Sequence, residues 1–327
     1  MPKYNFQKEV EVYVVTLNTS GNPVLKYKLD VSSITFSQSF AQENYRVNTL
    51  HAGNDFFEGS VINKANPAQF SFNMPLLKDS DFDIVFNLLV DNDSFSSNLI
   101  TDFDLYVVAL NNTVGGVDVG DVFQLNKSVI TNGSFVIERS RPLRLEISGE
   151  ASKLIYRSDL NNGVGVPGTL QSRSSSLRYI SKPAVSVSFD SQSLSNIISA
   201  SIELQNEVQW TPYTTVHGSL SATDSSNSMY PSEFSLDKRV LSGSVNQYIT
   251  ESKGTGTQSL QNWSASSPMI LTAGNGTGSS FRGISVDGNC SFTNRIGSGS
   301  VYTQSFDWRL IDNSSSLNSI LTYSTGA

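Results

Sequence analysis

The sequence predicts a mainly β protein: two tandem domains of one plan, each of several strands plus one short helix. Three observations carry that expectation. Of 327 residues, 16% are charged and 38% hydrophobic, with Ser, Asn, Thr and Gly abundant, which is the profile of strands with polar faces and tight turns. Short segments alternate apolar and polar residues with the period of two that half-buried strands need. Landmarks also recur in order. The two histidines close Thr49-Leu50-His51 and Thr215-Val216-His217, Pro67-Ala68-Gln69-Phe70-Ser71 is echoed by Pro231-Ser232-Glu233-Phe234-Ser235, and residues 133–139 resemble 288–295. A chain of this length suits two domains of about 150 residues. The expected division is 1–156, a linker at 157–176, and 177–327.

Residues 10–17, dense in Val and Tyr, read as a strand. Gly21-Asn22-Pro23 turns the chain into an alternating strand at 24–29, making a hairpin. Residues 31–40 continue the alternation through Ile34, Phe36 and Phe40. The polar stretch 41–67 reads as a long irregular loop, of the kind that carries function or is ordered by a partner. Phe70 and Phe72 mark a strand ending at Pro75. At 79–90 the period changes to that of a helix: Asp79, Ser80 and Asp81 supply caps, and Phe82, Val85, Phe86, Leu88 and Leu89 one apolar stripe. Strands follow at 103–110, 119–125, 134–139 and 143–148.

The linker 157–176, with Gly-rich and Ser-rich runs, offers little to bury. The second half is expected to have strands at 184–189 and 197–204, then a polar loop at 211–231. A helix is expected at 235–250, on Leu236, Val240, Leu241, Val245, Tyr248 and Ile249. A flexible or partner-ordered loop at 253–267 precedes strands at 269–272, 281–286, 290–294 and 301–311.

Composition excludes several functions. A net charge of −7 opposes tight nucleic-acid binding, which draws its affinity from Lys and Arg neutralising phosphates. No apolar run is long enough to span a membrane, and the first residues lack a signal-peptide core, so cytoplasmic synthesis is expected. Cys290 is the lone cysteine, which rules out an intrachain disulfide and reads as a packed side chain. His51 and His217 have no cysteine nucleophile or metal-spaced partner nearby and read as structural or interface residues. Asp79, Asp81 and Asp83 lack the Gly and terminal Glu of a calcium loop. Residues 274–278 lack the Lys of a phosphate loop, and 283–287 the second Gly of a nucleophile elbow. No catalytic constellation, metal site or cofactor site is expected.

The order of these features resembles the tail tube proteins of long-tailed bacteriophages. The resemblance lies in a strand-rich start, the loop around Glu43-Asn44-Tyr45-Arg46-Val47-Asn48-Thr49, the Phe70/Phe72 strand and the helix ending Phe86-Asn87-Leu88-Leu89. It covers about 10–150 and 180–312, and the duplication is similar to the fused type with two tube domains per chain. It implies β-sandwich domains, four of whose strands join a continuous barrel around a channel. Three chains would form each pseudo-hexameric ring, and rings would stack into a tube that passes DNA. Ring-stacking contacts would fall on the two long loops, with Tyr45, Arg46, Thr49 and His51 in one and Tyr213, Thr215 and His217 in the other. Implied partners are further copies of the chain, tail tip or baseplate proteins, tail terminators, the tape-measure protein and genomic DNA held non-specifically, without membrane insertion. The acidic balance then predicts a neutral or negative channel lining. Two other readings stay open: a receptor- or carbohydrate-binding virion protein that stacks sugars on Trp210, Trp263 and Trp308, and a two-carboxylate glycosidase.

Overall fold

The computed structural model describes residues 10–45, 59–76, 83–90, 100–114, 117–138, 141–160, 165–171, 180, 183–189, 192–211, 229–249, 267–297, 299–311 and 317–324. In chain order the first half contains β1 (Val10–Leu17), β2 (Pro23–Leu29), β3 (Ser33–Ser37), β4 (Phe40–Tyr45), β5 (Gly59–Ala65), β6 (Ala68–Pro75), α1 (Asp83–Val90), β7 (Phe103–Val114), β8 (Val117–Ile137) and β9 (Arg144–Tyr156). After the two-residue β10 (Thr169–Leu170) come β11 (Ala184–Phe189), β12 (Gln192–Ser193), β13 (Ile197–Trp210), β14 (Phe234–Tyr248), β15 (Ser267–Asn275), β16 (Arg282–Gly297), β17 (Thr303–Leu310), α2 (Leu317–Ile320) and β18 (Leu321–Ser324).

The strand pairing of the two halves runs in the same order. The first half pairs in the order β2-β1-β7-β8-β9-β6-β3, the second in the order β12-β11-β15-β16-β17-β14-β13. The two orders match strand for strand. Side chains repeat as well. Asn73 Nδ2 donates to Ser33 Oγ across β3 and β6 (3.3 Å), and Asn246 Nδ2 to Ser199 Oγ across β13 and β14 (2.9 Å). Thr35 and Ser71 hydroxyls meet at 2.7 Å, as do Ser201 and Ser244 at 3.0 Å.

One matched position shows the physics of the repeat. Phe70 stands opposite Gly149, and at the same place in the second half Gly243 stands opposite Trp308. A Cβ on Gly149 would lie 2.3 Å from the Phe70 ring, and one on Gly243 would lie 2.6 Å from the Trp308 ring. Each half therefore seats one large aromatic ring over a bare backbone, but on opposite strands of the pair. What the fold preserves is the summed volume of the cross-strand pair, the quantity that a close-packed core constrains.

The halves are joined edge to edge. β8 is long because it serves two partners on one edge: residues 117–128 pair with β7, then 132–137 pair antiparallel with β13. At the handover the ladder is irregular and Lys127 takes a left-handed conformation (φ 53°). The buried Asp104 carboxylate stabilises that bulge, accepting from Lys127 N (3.0 Å), Asn126 Nδ2 (3.3 Å) and Gln124 Nε2 (2.7 Å). Burial pushes its pKa up despite those donors. The helix α1 lies across the same joint. Its last carbonyls are met by second-half side chains, Asn206 Nδ2 on Leu89 O (3.1 Å) and Arg239 Nη1 on Val90 O (3.2 Å). Phe86 packs against Phe135 and Tyr323, so one apolar core runs through both halves.

The structure departs from the sequence reading in several places. Residues 235–250 are not a helix: β14 occupies 234–248, paired with β13 and β17. An irregularity between Glu207 and Val208 shifts the β13–β14 register, which spaces Leu236, Leu241 and Val245 unevenly, and Ser242-Gly243-Ser244 has little helix propensity. The stretch 41–67 is not an irregular loop throughout, since β4 and β5 form an antiparallel hairpin at its two ends. The strands expected at 119–125 and 134–139 are one strand, β8, and those expected at 281–286 and 290–294 are likewise one strand, β16. The linker is not bare: Leu160 and Val166 are buried against Val15, Tyr106 and Val122, and β10 pairs with β2 in parallel. The Pro67 and Pro231 motifs are not equivalent positions, because the repeated hydrogen bonds align Asn73 with Asn246 and so place Pro67 opposite the interior of β14. The helix caps at 79–81 and the segment 250–266 lie outside the described residues.

Candidate functional surface

The strands β3-β6-β9-β8-β13-β14-β17-β16 form one continuous run through both halves, apolar on one face and polar on the other. The polar face follows from strict alternation. Gln69 and Ser71 on β6, Glu146, Ser148 and Glu150 on β9, and Ser201, Glu203 and Gln205 on β13 all point away from the core. Ser305, Asp307 and Arg309 on β17 do the same.

Cations on this face are largely neutralised in place. Arg144 lies 3.5 Å from Glu146 and 4.0 Å from Glu138, Lys238 lies 2.7 Å from Glu207, and Arg295 lies 3.1 Å from Asp307. Arg309 on β17 is exposed on the same face. The acids Glu150 and Glu203 are held by neutral donors instead. Trp210 Nε1 donates to Glu150 (2.8 Å), and Asn132 and Gln205 amides donate to Glu203 (3.0 Å each). Burial raises the Glu150 pKa, against the pull of the Trp210 hydrogen bond. A surface of hydroxyls, amides and paired charges with a slight acidic excess offers phosphate few free cations.

The run ends in two open edges, and these are unlike its interior. At the joint, residues 132–137 of β8 are covered by β13. The repeat-equivalent stretch of β16, residues 293–297, has β17 as its one strand partner among the described residues, since the ladder with β15 ends where Ser267 pairs with Cys290. Phe135 in the covered stretch is fully buried, whereas Ile296, its counterpart by the β9 and β17 registers, is 55% exposed. At the other end β3 has β6 as its one strand partner among the described residues. Its equivalent, β13, has that same edge occupied by β8. Among the described residues, one copy of each surface joined internally thus lacks a strand partner.

Of the residues expected in ring-stacking loops, Tyr45 ends β4 opposite Gly59. Arg46, Thr49, His51, Tyr213, Thr215 and His217 lie outside the described residues. The bases of the two loops do meet: Ala65 N donates to Met229 O (2.9 Å), and Lys153 sits over the Tyr230 ring (4.4 Å). Of the aromatics considered for sugar stacking, Trp308 is core, Trp210 is partly buried against Phe234, and Trp263 lies outside the described residues. Cys290 is buried, and burial alone raises its thiol to about 12. Among the described residues no group of His, Cys, Asp or Glu is placed to hold a metal, and no helix is long and apolar enough to cross a membrane.

A family model, described as the bacteriophage baseplate tube protein family, matches residues 3–325. The chain belongs to that family. Among curated proteins none matches it. A baseplate tube protein is a structural component of the phage tail and baseplate, which narrows the resemblance to tail tube proteins drawn from strand order. It also gives the polar face and open edges a context: they belong to a virion part that assembles with other tail and baseplate proteins. Neither open edge was legible from composition. β3 and residues 291–297 alternate polar and apolar side chains as the covered β13 does, so no local pattern marks them as edges.

Proposed function

We propose that this chain assembles, three copies to a ring, into a tube segment whose inner wall is the polar sheet face and through which phage DNA passes. The observation that carries the reading is the pair of complementary open edges. If the internal joint of β8 with β13 is repeated between copies, residues 293–297 of one chain pair antiparallel with 35–39 of the next, and Ile296 faces Phe36 as Phe135 faces Ile202. Such a contact is head-to-tail, so it closes into a ring when the rotation fits and leaves no sheet edge exposed.

Size and charge agree with the role. Each copy supplies the run β3-β6-β9-β8-β13-β14-β17-β16, and three copies at ordinary strand spacing and tilt give a barrel of roughly 45 Å between backbones. That is far wider than barrels filled by their own side chains. The wall must not hold DNA, since each phosphate neutralised by Lys or Arg releases counterions and adds affinity. Cations already paired with Glu and Asp add little, and residual repulsion reaches only about 8 Å at physiological salt.

Sedimentation of the purified protein tests the assembly. Species at about three times 35.6 kDa, and stacks of them, support it. A monomer at every concentration that supports folding, or a dimer of like edges, refutes it. The carbohydrate-binding reading predicts discrete particles with glycan affinity instead.

A further inference from the structure

We infer that the N-terminal segment of one copy, residues 3–9, docks on the sheet tip of the neighbouring copy, against Ile249 and Tyr302. The precedent is inside the chain. At the tip of the first-half sheet three backbones close a triangle: Leu76 N donates to Leu143 O (2.8 Å), Leu143 N to Ile180 O (2.9 Å), and Ile180 N to Leu76 O (3.2 Å). All three side chains are fully buried. Ile180 belongs to the segment that leads into β11, so the arm ahead of the second domain seals the first.

The second half builds the same tip and leaves it open. The repeat registers make Ile249 the counterpart of Leu76 and Tyr302 the counterpart of Leu143. The first bond is reproduced, Ile249 N to Tyr302 O at 3.0 Å. Among the described residues nothing takes the place of Ile180. Tyr302 is 61% exposed, and Val301, Ile296 and Tyr248 beside it are exposed too. An exposed apolar patch of this kind is costly to leave in water.

The occupant follows from the same correspondence. Val10 of β1 matches Val185 of β11, since both partner the equivalent positions of β7 and β15. Ile180 lies five residues before Val185. Five residues before Val10 is Asn5, flanked by Tyr4 and Phe6. The arm of each domain would thus seal the domain behind it, and the first domain's arm has only the preceding copy to seal. Reaching its own second domain would reverse the direction of the internal contact. This inference rests on the ring reading, with neighbours related as the two halves are.

Cysteine pairs separate the two. Asn5→Cys with Tyr302→Cys tests the arm, Phe36→Cys with Ile296→Cys tests the sheet edge, and Leu143→Cys with Ile180→Cys is the in-chain control; buried Cys290 stays in place. The expected result after mild oxidation is a denaturing-gel ladder of two and three linked chains for both the arm pair and the edge pair. The control should link within one chain. An edge ladder without an arm ladder overturns the arm docking and leaves the ring intact. Arm disulfides confined to single chains also overturn it. Absence of both ladders, with the control linked, overturns the ring reading and the arm with it.

Discussion

Ile296→Asp separates assembly from folding. Ile296 is 55% exposed in a single copy, so roughly 100 Å² of its surface remains to be covered by a neighbour. At about 25 cal/mol per Å² that is about 2.5 kcal/mol for each edge, close to 100-fold in its association constant. Burying the introduced carboxylate beside Phe36 adds a desolvation cost of several kcal/mol on top. In the isolated chain the same site faces solvent, where a substitution changes stability by roughly 0.5 kcal/mol or less. The repeat supplies the control: Phe135→Asp puts the same charge at the equivalent position inside the internal joint, where the side chain is fully buried. Sedimentation velocity and urea unfolding, run on both variants, give the comparison. Ile296→Asp should be a folded monomer with a wild-type urea midpoint, and Phe135→Asp should fail to fold. Wild-type assembly of Ile296→Asp would refute the edge-pairing reasoning, and so would unfolding of that variant.

Other consequences follow from the same structure. Gly149→Ala and Gly243→Ala each force a Cβ against an aromatic ring and a carbonyl oxygen, 2.4 Å from Val129 O and 2.0 Å from Ser201 O; each should lose about 1–3 kcal/mol in urea unfolding. Burial raises the Asp104 pKa, so between its unfolded value near 4 and its folded value the native state binds more protons than the unfolded state. Stability contributed by that group is therefore greatest at acid pH and falls as pH rises through the window. Relative to Asp104→Asn, wild type should lose ground from pH 3.5 upward in urea midpoints; a gain with rising pH would contradict the assignment. Glu146→Lys with Glu203→Lys should leave ring assembly unchanged but slow DNA passage, with the defect shrinking as salt rises. Ejection at the wild-type rate would count against the charge argument.

Much of the fold was legible because it rests on short-range signals. β1, β2 and β6 announce themselves by β-branched and aromatic alternation, and the turn at Gly21 takes the positive φ (74°) that glycine allows. The landmarks themselves do not survive: the strand registers align neither Pro67 with Pro231 nor 133–139 with 288–295, the histidines lie outside the described residues, and what the halves share is their pairing order. What escaped depends on partners distant in sequence. β14 looks helical because a register shift spoils its period, and only β13 and β17 on its two sides make it a strand. The length of β8 comes from its change of partner at Asp104 and Lys127, which no local pattern reveals. The closing elements α2 and β18 were missed because four apolar residues, Leu317, Ile320, Leu321 and Tyr323, are too few for a period and are ordered by packing on β16 and α1. The exchange of Phe70 and Gly149 for Gly243 and Trp308 hides the repeat from residue matching while keeping its volume. Of the candidate surface, the polar alternation could be read, but its position in a shared sheet could not.

Electron cryomicroscopy of the assembled protein tests the central claim most directly. The account predicts three chains per ring, with residues 293–297 of each chain running antiparallel to 35–39 of its neighbour and Glu146, Glu150 and Glu203 facing the bore. A map in which those two edges stand apart, or in which the apolar face lines the channel, contradicts it.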